Sequence, residues 1–229
     1  MLTIILLTIF QQVLNWDTNI LLWVNEHHSF FWDQFMYVYS GRWVWVPLYV
    51  SIAYVLVRNF SWKVTLFALL TITVIITLSD QICASLIRPI VCRLRPSNLN
   101  NPLSAVIHVV DNYRGGPFSF PSAHASNSWA LTFFVIYLFR NKAISVFIVF
   151  WALLTCYSRM YLGVHYPSDL FVGMLLGLAC ASVVFYFFQK YSGYSHEMNL
   201  RQYNIPVIVG GLTITGIVLF SAIECYLIL

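Results

Sequence analysis

Apolar residues come in blocks along this chain. They fill about residues 43–57, 64–87, 121–139, 143–161, 168–189 and 205–223. A helix of about 20 apolar residues spans the hydrocarbon core of a bilayer, so the blocks predict about six transmembrane helices. The first block is short and extends back past Arg42, whose long side chain can snorkel to the headgroups. Residues 1–40 read differently, with Asp17, Glu26 and Asp33 set among Trp and Phe. That mixture predicts one or two amphipathic helices lying at the membrane surface. The expected fold is all-α: a polytopic transmembrane bundle at 41–229, preceded by an interfacial segment at 1–40.

Polar turns separate the blocks at 58–63, 140–142 and 190–202, and one longer connection runs from Ser97 to Phe120. If the helices alternate in direction, the three turns share one side and carry six Lys+Arg. The opposite side carries Arg42, Arg88, Arg93, Arg95, Arg114 and Arg159, also six. The two sides tie, so the excess of basic residues that marks cytoplasmic loops gives no orientation.

Composition sharpens the class. Hydrophobic residues make up 60% of the chain and charged residues 9%, against about 25% charged in soluble domains. This is an integral membrane protein. Its net charge of +4 suits anionic headgroups, and no basic tract with interleaved polar residues points to nucleic acid. None of the five cysteines shows zinc or CxxC spacing.

The charges that remain are not scattered. Three clusters sit at predicted span ends on the side opposite the short turns. In "RPIVCRLRP", Arg88 and Arg95 are seven apart and would share a helix face if the helix ran on, although Pro89 interrupts it. In "FPSAHASNS", Pro121 predicts a helix start, leaving the amides of Ser122, Ala123 and His124 free to cradle an anion. In "YSRMYLGVHYPSD", a second helix start is predicted near Pro167. There His165 and Asp169 are spaced so that the carboxylate can fix the imidazole tautomer. Each cluster alone has a plainer reading: a basic stop for lipid phosphate, a capping serine, or a two-residue metal pair lacking a third ligand. Together they place three guanidiniums, two imidazoles and a carboxylate at one interface. Charges there cost about 2.5–3.5 kcal/mol each on insertion scales, and guanidinium forks match phosphate oxygens.

Written out, the clusters are Arg88-x6-Arg95-Pro96, Pro121-Ser122-Ala123-His124 and Ser158-Arg159-x5-His165-x3-Asp169. They resemble the type 2 phosphatidic acid phosphatase superfamily, whose signature reads K-x6-RP, PSGH and SR-x5-H-x3-D. Two positions depart from it: Arg88 stands for the usual lysine and Ala123 for the usual glycine. The resemblance implies a metal-independent lipid phosphatase with no cofactor, whose partners are the bilayer and a phosphorylated lipid. It implies that His165 attacks phosphorus, Asp169 orients it and His124 protonates the leaving oxygen. It also implies that Arg88, Arg95, Arg159, Ser122 and the backbone at Ala123 hold the phosphate. The implied setting is the bacterial inner membrane, with the site facing the periplasm.

The stretch from Arg95 through Ser128 is similar to lipid A phosphatases acting at the 4′ position. Undecaprenyl diphosphate and phosphatidylglycerophosphate phosphatases are the alternatives. Asp80, two turns before Arg88, is a candidate partner of the cationic site, and Arg114 in the long connection is a candidate rim residue. A transporter or lipid-binding protein with a cationic intramembrane site is the rival outside enzymes. Inverted repeats would favour it, and the sequence shows none.

Overall fold

The computed structural model describes residues 1–195 and 202–228, so residues 196–201 of the connection 190–202 lie outside the described residues. Helices appear at all six predicted spans. They are α3 (Val46–Asn59), α4 (Trp62–Gln81), α6 (Ala123–Phe139), α7 (Lys142–Tyr161), α8 (Pro167–Ser192) and α9 (Ile205–Ile228), with α1 (Leu2–Glu26) and α2 (Phe30–Tyr39) before them. Among the described residues, four helices are long and apolar enough to cross a membrane singly; α2 with α3, bent by 69°, makes a fifth. The count of six is therefore approximate, because α6 has only 17 residues.

The α4 span does not stop at Gln81. It continues through a π-helical turn, Ile82–Ile87, into the short α5 (Arg88–Val91), reaching 30 residues in all. Pro89 explains the widening, since its ring would clash with the carbonyl four residues earlier in a regular helix. Cys92 then adopts a left-handed conformation (φ 49) and ends the helix. The shared helical face expected for Arg88 and Arg95 is thus not what brings them together. Arg95 lies beyond the helix, in a chain reversal where Leu94 bridges Phe118 in antiparallel fashion.

Helices α6 and α8 form the most extensive pair. Gly173 and Gly177, four residues apart on α8, meet Ser126 and Ala130 on α6. A methyl group at Gly173 would lie 2.6 Å from the Ser122 carbonyl oxygen, and one at Gly177 would lie 2.5 Å from that of Ser126. Small residues let backbones approach where lipid supplies no hydrophobic drive. The close approach carries upward to the helix starts, where the Ser122 amide donates to the Asp169 carbonyl at 3.0 Å.

The N-terminal helices form, and two of their polar residues turn inward while Glu26 stays exposed. Asp17 and Asn25 are 4% and 2% exposed, because Asp17 binds Arg93 and the first turn of α8 while Asn25 binds the long connection and the end of α7. Phe35, Met36 and Tyr39 of α2 join the main core.

Candidate active site

Three helix ends and one loop converge on a cavity of about 690 Å³. Its polar end presents Asp80, Arg88, Arg95, His124, Asn127 and His165, and Ser40 and Arg42 stand at its rim. Between α3, α4 and α6 it turns apolar, lined by Ile52, Leu69, Ile72, Ile76 and Leu131.

His165 occupies the α7–α8 turn and is 1% exposed. Its Nε2 lies 3.0 Å from Nη1 of Arg95. A guanidinium only donates, so Nε2 must be the acceptor and the ring proton sits on Nδ1. Nδ1 faces Oδ2 of Asp169 at 3.4 Å, a loose contact with no closer partner among the described residues. Catalytic contacts of this kind often tighten only when substrate binds. The Nε2 lone pair is therefore directed at the Arg95 guanidinium, and both residues line the cavity. Burial, and then the charges of Arg95, Arg159 and Arg88, hold the imidazole well below the usual histidine range. It is neutral at physiological pH, as a nucleophile must be.

Asp169, at the third position of α8, is fully buried. Its Oδ2 accepts from the Tyr166 amide (2.9 Å) and its Oδ1 from Arg93 Nη1 (3.0 Å).

The cations are held by groups that leave charge to spare. Arg95 donates to the Val164 carbonyl at 3.1 Å, and Arg88 to that of Pro121 at 3.0 Å. Arg159, 2% exposed on the last turn of α7, donates to the Ser40 hydroxyl and to the Tyr113 hydroxyl at 2.9 Å. Among the described residues the Nε groups of all three arginines are buried without a hydrogen-bond partner. Buried donors are rarely left unpaired, and with Arg88 and Arg95 lining the cavity and Arg159 close to Arg95, the three together suit an anion. Burial, with Arg159 and Arg88 nearby, pulls Arg95 down to about 10, so it too stays charged.

Other expected residues fall around this centre. Helix α6 starts at Ala123 rather than Pro121, because Ser122 is its N-cap, accepting from Ala125 N at 3.3 Å. The Ser122 amide and hydroxyl oxygen thus both serve the backbone, and the hydroxyl proton remains to donate. Ala123 and His124, in the first turn, line the cavity. Asp80 does too, accepting from Asn127 Nδ2 at 3.3 Å. Arg114 instead staples the long connection, donating to the Ser97 carbonyl at 2.6 Å. Sequence reasoning missed Arg93, Tyr113 and Ser40. Among the described residues no three His, Cys, Asp or Glu side chains group as a metal set.

Residues 67–192 match the PAP2 superfamily. The chain is 42% identical to a lipid A 4'-phosphatase of Bacteroides thetaiotaomicron over 91% of its own length and 96% of the relative's. It is 30% identical to a lipid A 4'-phosphatase of Porphyromonas gingivalis, covering 76% and 74%. In fold it is similar to a transmembrane PAP2-type phosphatidylglycerolphosphate phosphatase from Bacillus subtilis. That likeness has a TM-score of 0.57 at 22% identity and covers 80% of this chain and 90% of that one.

Proposed function

The chain belongs to the PAP2 superfamily, as a multi-pass membrane phosphatase, and we propose that it removes the 4′-phosphate of lipid A through a phosphohistidine on His165. The observation that carries the chemistry is the set of three guanidiniums with buried, unpaired Nε groups near a neutral imidazole whose Nε2 is held as an acceptor by Arg95. The choice of lipid rests on the 42% identity to a lipid A 4'-phosphatase across nearly the whole chain.

The steps follow from the groups in place. The substrate phosphate draws Arg95 off Nε2, and Nε2 forms a bond to phosphorus as the bond to the sugar oxygen breaks. His124, protonated in the complex with the anionic substrate, gives its proton to that oxygen and is left as neutral imidazole. Asp169 balances the charge left on the phosphorylated ring, and the guanidiniums hold the equatorial oxygens as charge develops on them. Water then attacks phosphorus, its proton passes to His124, and the electron pair returns to Nε2 with release of orthophosphate. The apolar half of the cavity gives an acyl chain a place between α3 and α4.

The test is purified protein in detergent with bis-phosphorylated lipid A, undecaprenyl diphosphate and phosphatidylglycerophosphate offered separately. Mass spectrometry should find lipid A losing its 4′-phosphate with the highest kcat/KM of the three. Preferred turnover of either other lipid would overturn the lipid A assignment and keep the phosphatase chemistry.

The proposed setting is the bacterial inner membrane, with the cavity opening to the periplasm. A cysteine at exposed Asn100, in a chain lacking its five native cysteines, should react with an impermeant maleimide in intact spheroplasts. Labelling only after lysis would place the site on the cytoplasmic face.

A further inference from the structure

The segment between α5 and the long connection places two arginines on the proposed catalytic pair, and only one of them belongs to the family signature. Around the Leu94–Phe118 bridge the chain is extended, so residues 93 and 95 point to one side. Arg95 meets His165 and Arg93 meets Asp169. Arg93 continues past Asp169. Its Nη2 lies 2.6 Å from Oδ2 of Asp17 on α1, its Nη1 donates to Ser168 Oγ at 2.7 Å, and its guanidinium stacks on the Tyr166 ring at 3.6 Å. Asp17 closes the network by accepting from the Ser168 amide (2.7 Å) and hydroxyl (2.6 Å) at the first turn of α8. Both carboxylates are almost fully buried, at 4% and 0% exposed.

We propose that Arg93, fixed by Asp17 of the N-terminal helix, is the positioning residue that keeps Asp169 ionised and aimed at His165. This rests on His165 and Asp169 acting as nucleophile and orienting group.

A buried carboxylate without a countercharge takes up a proton, and a protonated Asp169 no longer accepts strongly from Nδ1–H. Arg93 supplies that countercharge. Alone, however, it would leave a cation directly on the carboxylate that must pull on the imidazole. Asp17 takes half of the guanidinium fork and so leaves Asp169 basic. The two acids and one arginine sum to one negative charge, which matches the one positive charge that forms on the ring. Asp17 lies outside residues 67–192, the part that matches the family. The first helix is thereby a component of the site and not only a membrane contact.

The experiment measures kcat and KM for lipid A with full-length Arg93→Gln, Arg93→Lys, Asp17→Asn and the Asp17→Asn/Arg93→Gln pair, all normalised to folded protein by size exclusion. Arg93→Gln should lower kcat about 30-fold with KM within about threefold, as for loss of a group that orients a catalytic ligand. Lysine should restore part of the loss, and Asp17→Asn should cost about fivefold. The pair should be no worse than Arg93→Gln alone, because Asp17 acts through Arg93. If Arg93→Gln does not fold, the near-isosteric Asp17→Asn carries the test. Wild-type kcat in a folded Asp17→Asn, or losses that multiply in the pair, would overturn the proposal. His165→Ala run in parallel separates the two levels. If it is inactive while Arg93→Gln is normal, only the positioning role fails; if it is active, the nucleophile assignment fails as well.

Discussion

His165→Ala is expected to lower kcat by about 10⁴-fold or more, as loss of a covalent nucleophile does when no neighbour can replace it. The neighbours here are unsuitable. Arg95 has no lone pair to offer, Asp169 is committed to Arg93 and the Tyr166 amide, and His124, on α6, has the leaving group as its proposed partner. The side chain is fully buried but small, and the helices around it are fixed by the α6–α8 contact, so the variant should fold and insert. Removing the ring also leaves space beside an intact cation cluster, and added imidazole should restore part of the turnover by accepting the phosphoryl group in its place. Activity above a tenth of wild type without imidazole would rule out a phosphohistidine on this residue.

The sequence made the helices legible because membrane spans are written locally, as blocks of apolar residues that each satisfy their own backbone. The site was legible for a different reason. Buried charges are costly in a chain with 9% charged residues, so each one that remained was informative. Those reasons stop at the long connection. The seven-residue spacing predicts a shared helix face for Arg88 and Arg95, but Cys92 turns the chain out of the helix and the two reach one cavity through a reversal. Arg93 carries a signal that could have been read: in an extended segment, the spacing R-x-R puts both side chains on one side. Its meaning needed Asp17, which is 76 residues away. Asp17 itself looked like a surface charge on an amphipathic helix, since nothing local reveals which face of a helix will be buried by a partner. Ser40 and Tyr113, which hold Arg159, come from separate turns and have no pattern of their own. Gly173 and Gly177 gain their meaning only from the structure, where their close approach to α6 brings two helix starts, and with them His124 and Asp169, to one level.

Arg95 is where the second large effect is expected, because it touches both reactants. Its Nη1 bonds the Val164 carbonyl and His165 Nε2, its Nε is unpaired, and Gly115, at φ +67, lies so close that an added methyl would be 3.1 Å from the guanidinium carbon. The fork is therefore fixed in place before substrate arrives, and such preorganised charge is what stabilises an anionic transition state. Arg95→Met should lower kcat/KM by about 4 kcal/mol, roughly 10³-fold. Arg95→Lys keeps the charge but reaches only one partner at a time, and should lose about 10²-fold. The pH profile distinguishes this from simple damage. After burial, the charge of Arg95 is the largest influence holding His165 down, so removing it makes the imidazolium easier to form. The acid limb of kcat/KM should then move to higher pH in Arg95→Met, with activity falling as pH drops through a value closer to the ordinary histidine range of about 6.5. Ionisation of the substrate is common to both enzymes, so the difference between the two profiles reports the imidazoles close to Arg95, His165 first among them. Arg95→Lys retains a cation and should keep the limb near its wild-type position. An Arg95→Met enzyme with a large loss but an unmoved acid limb would mean that Arg95 binds phosphate without governing the nucleophile.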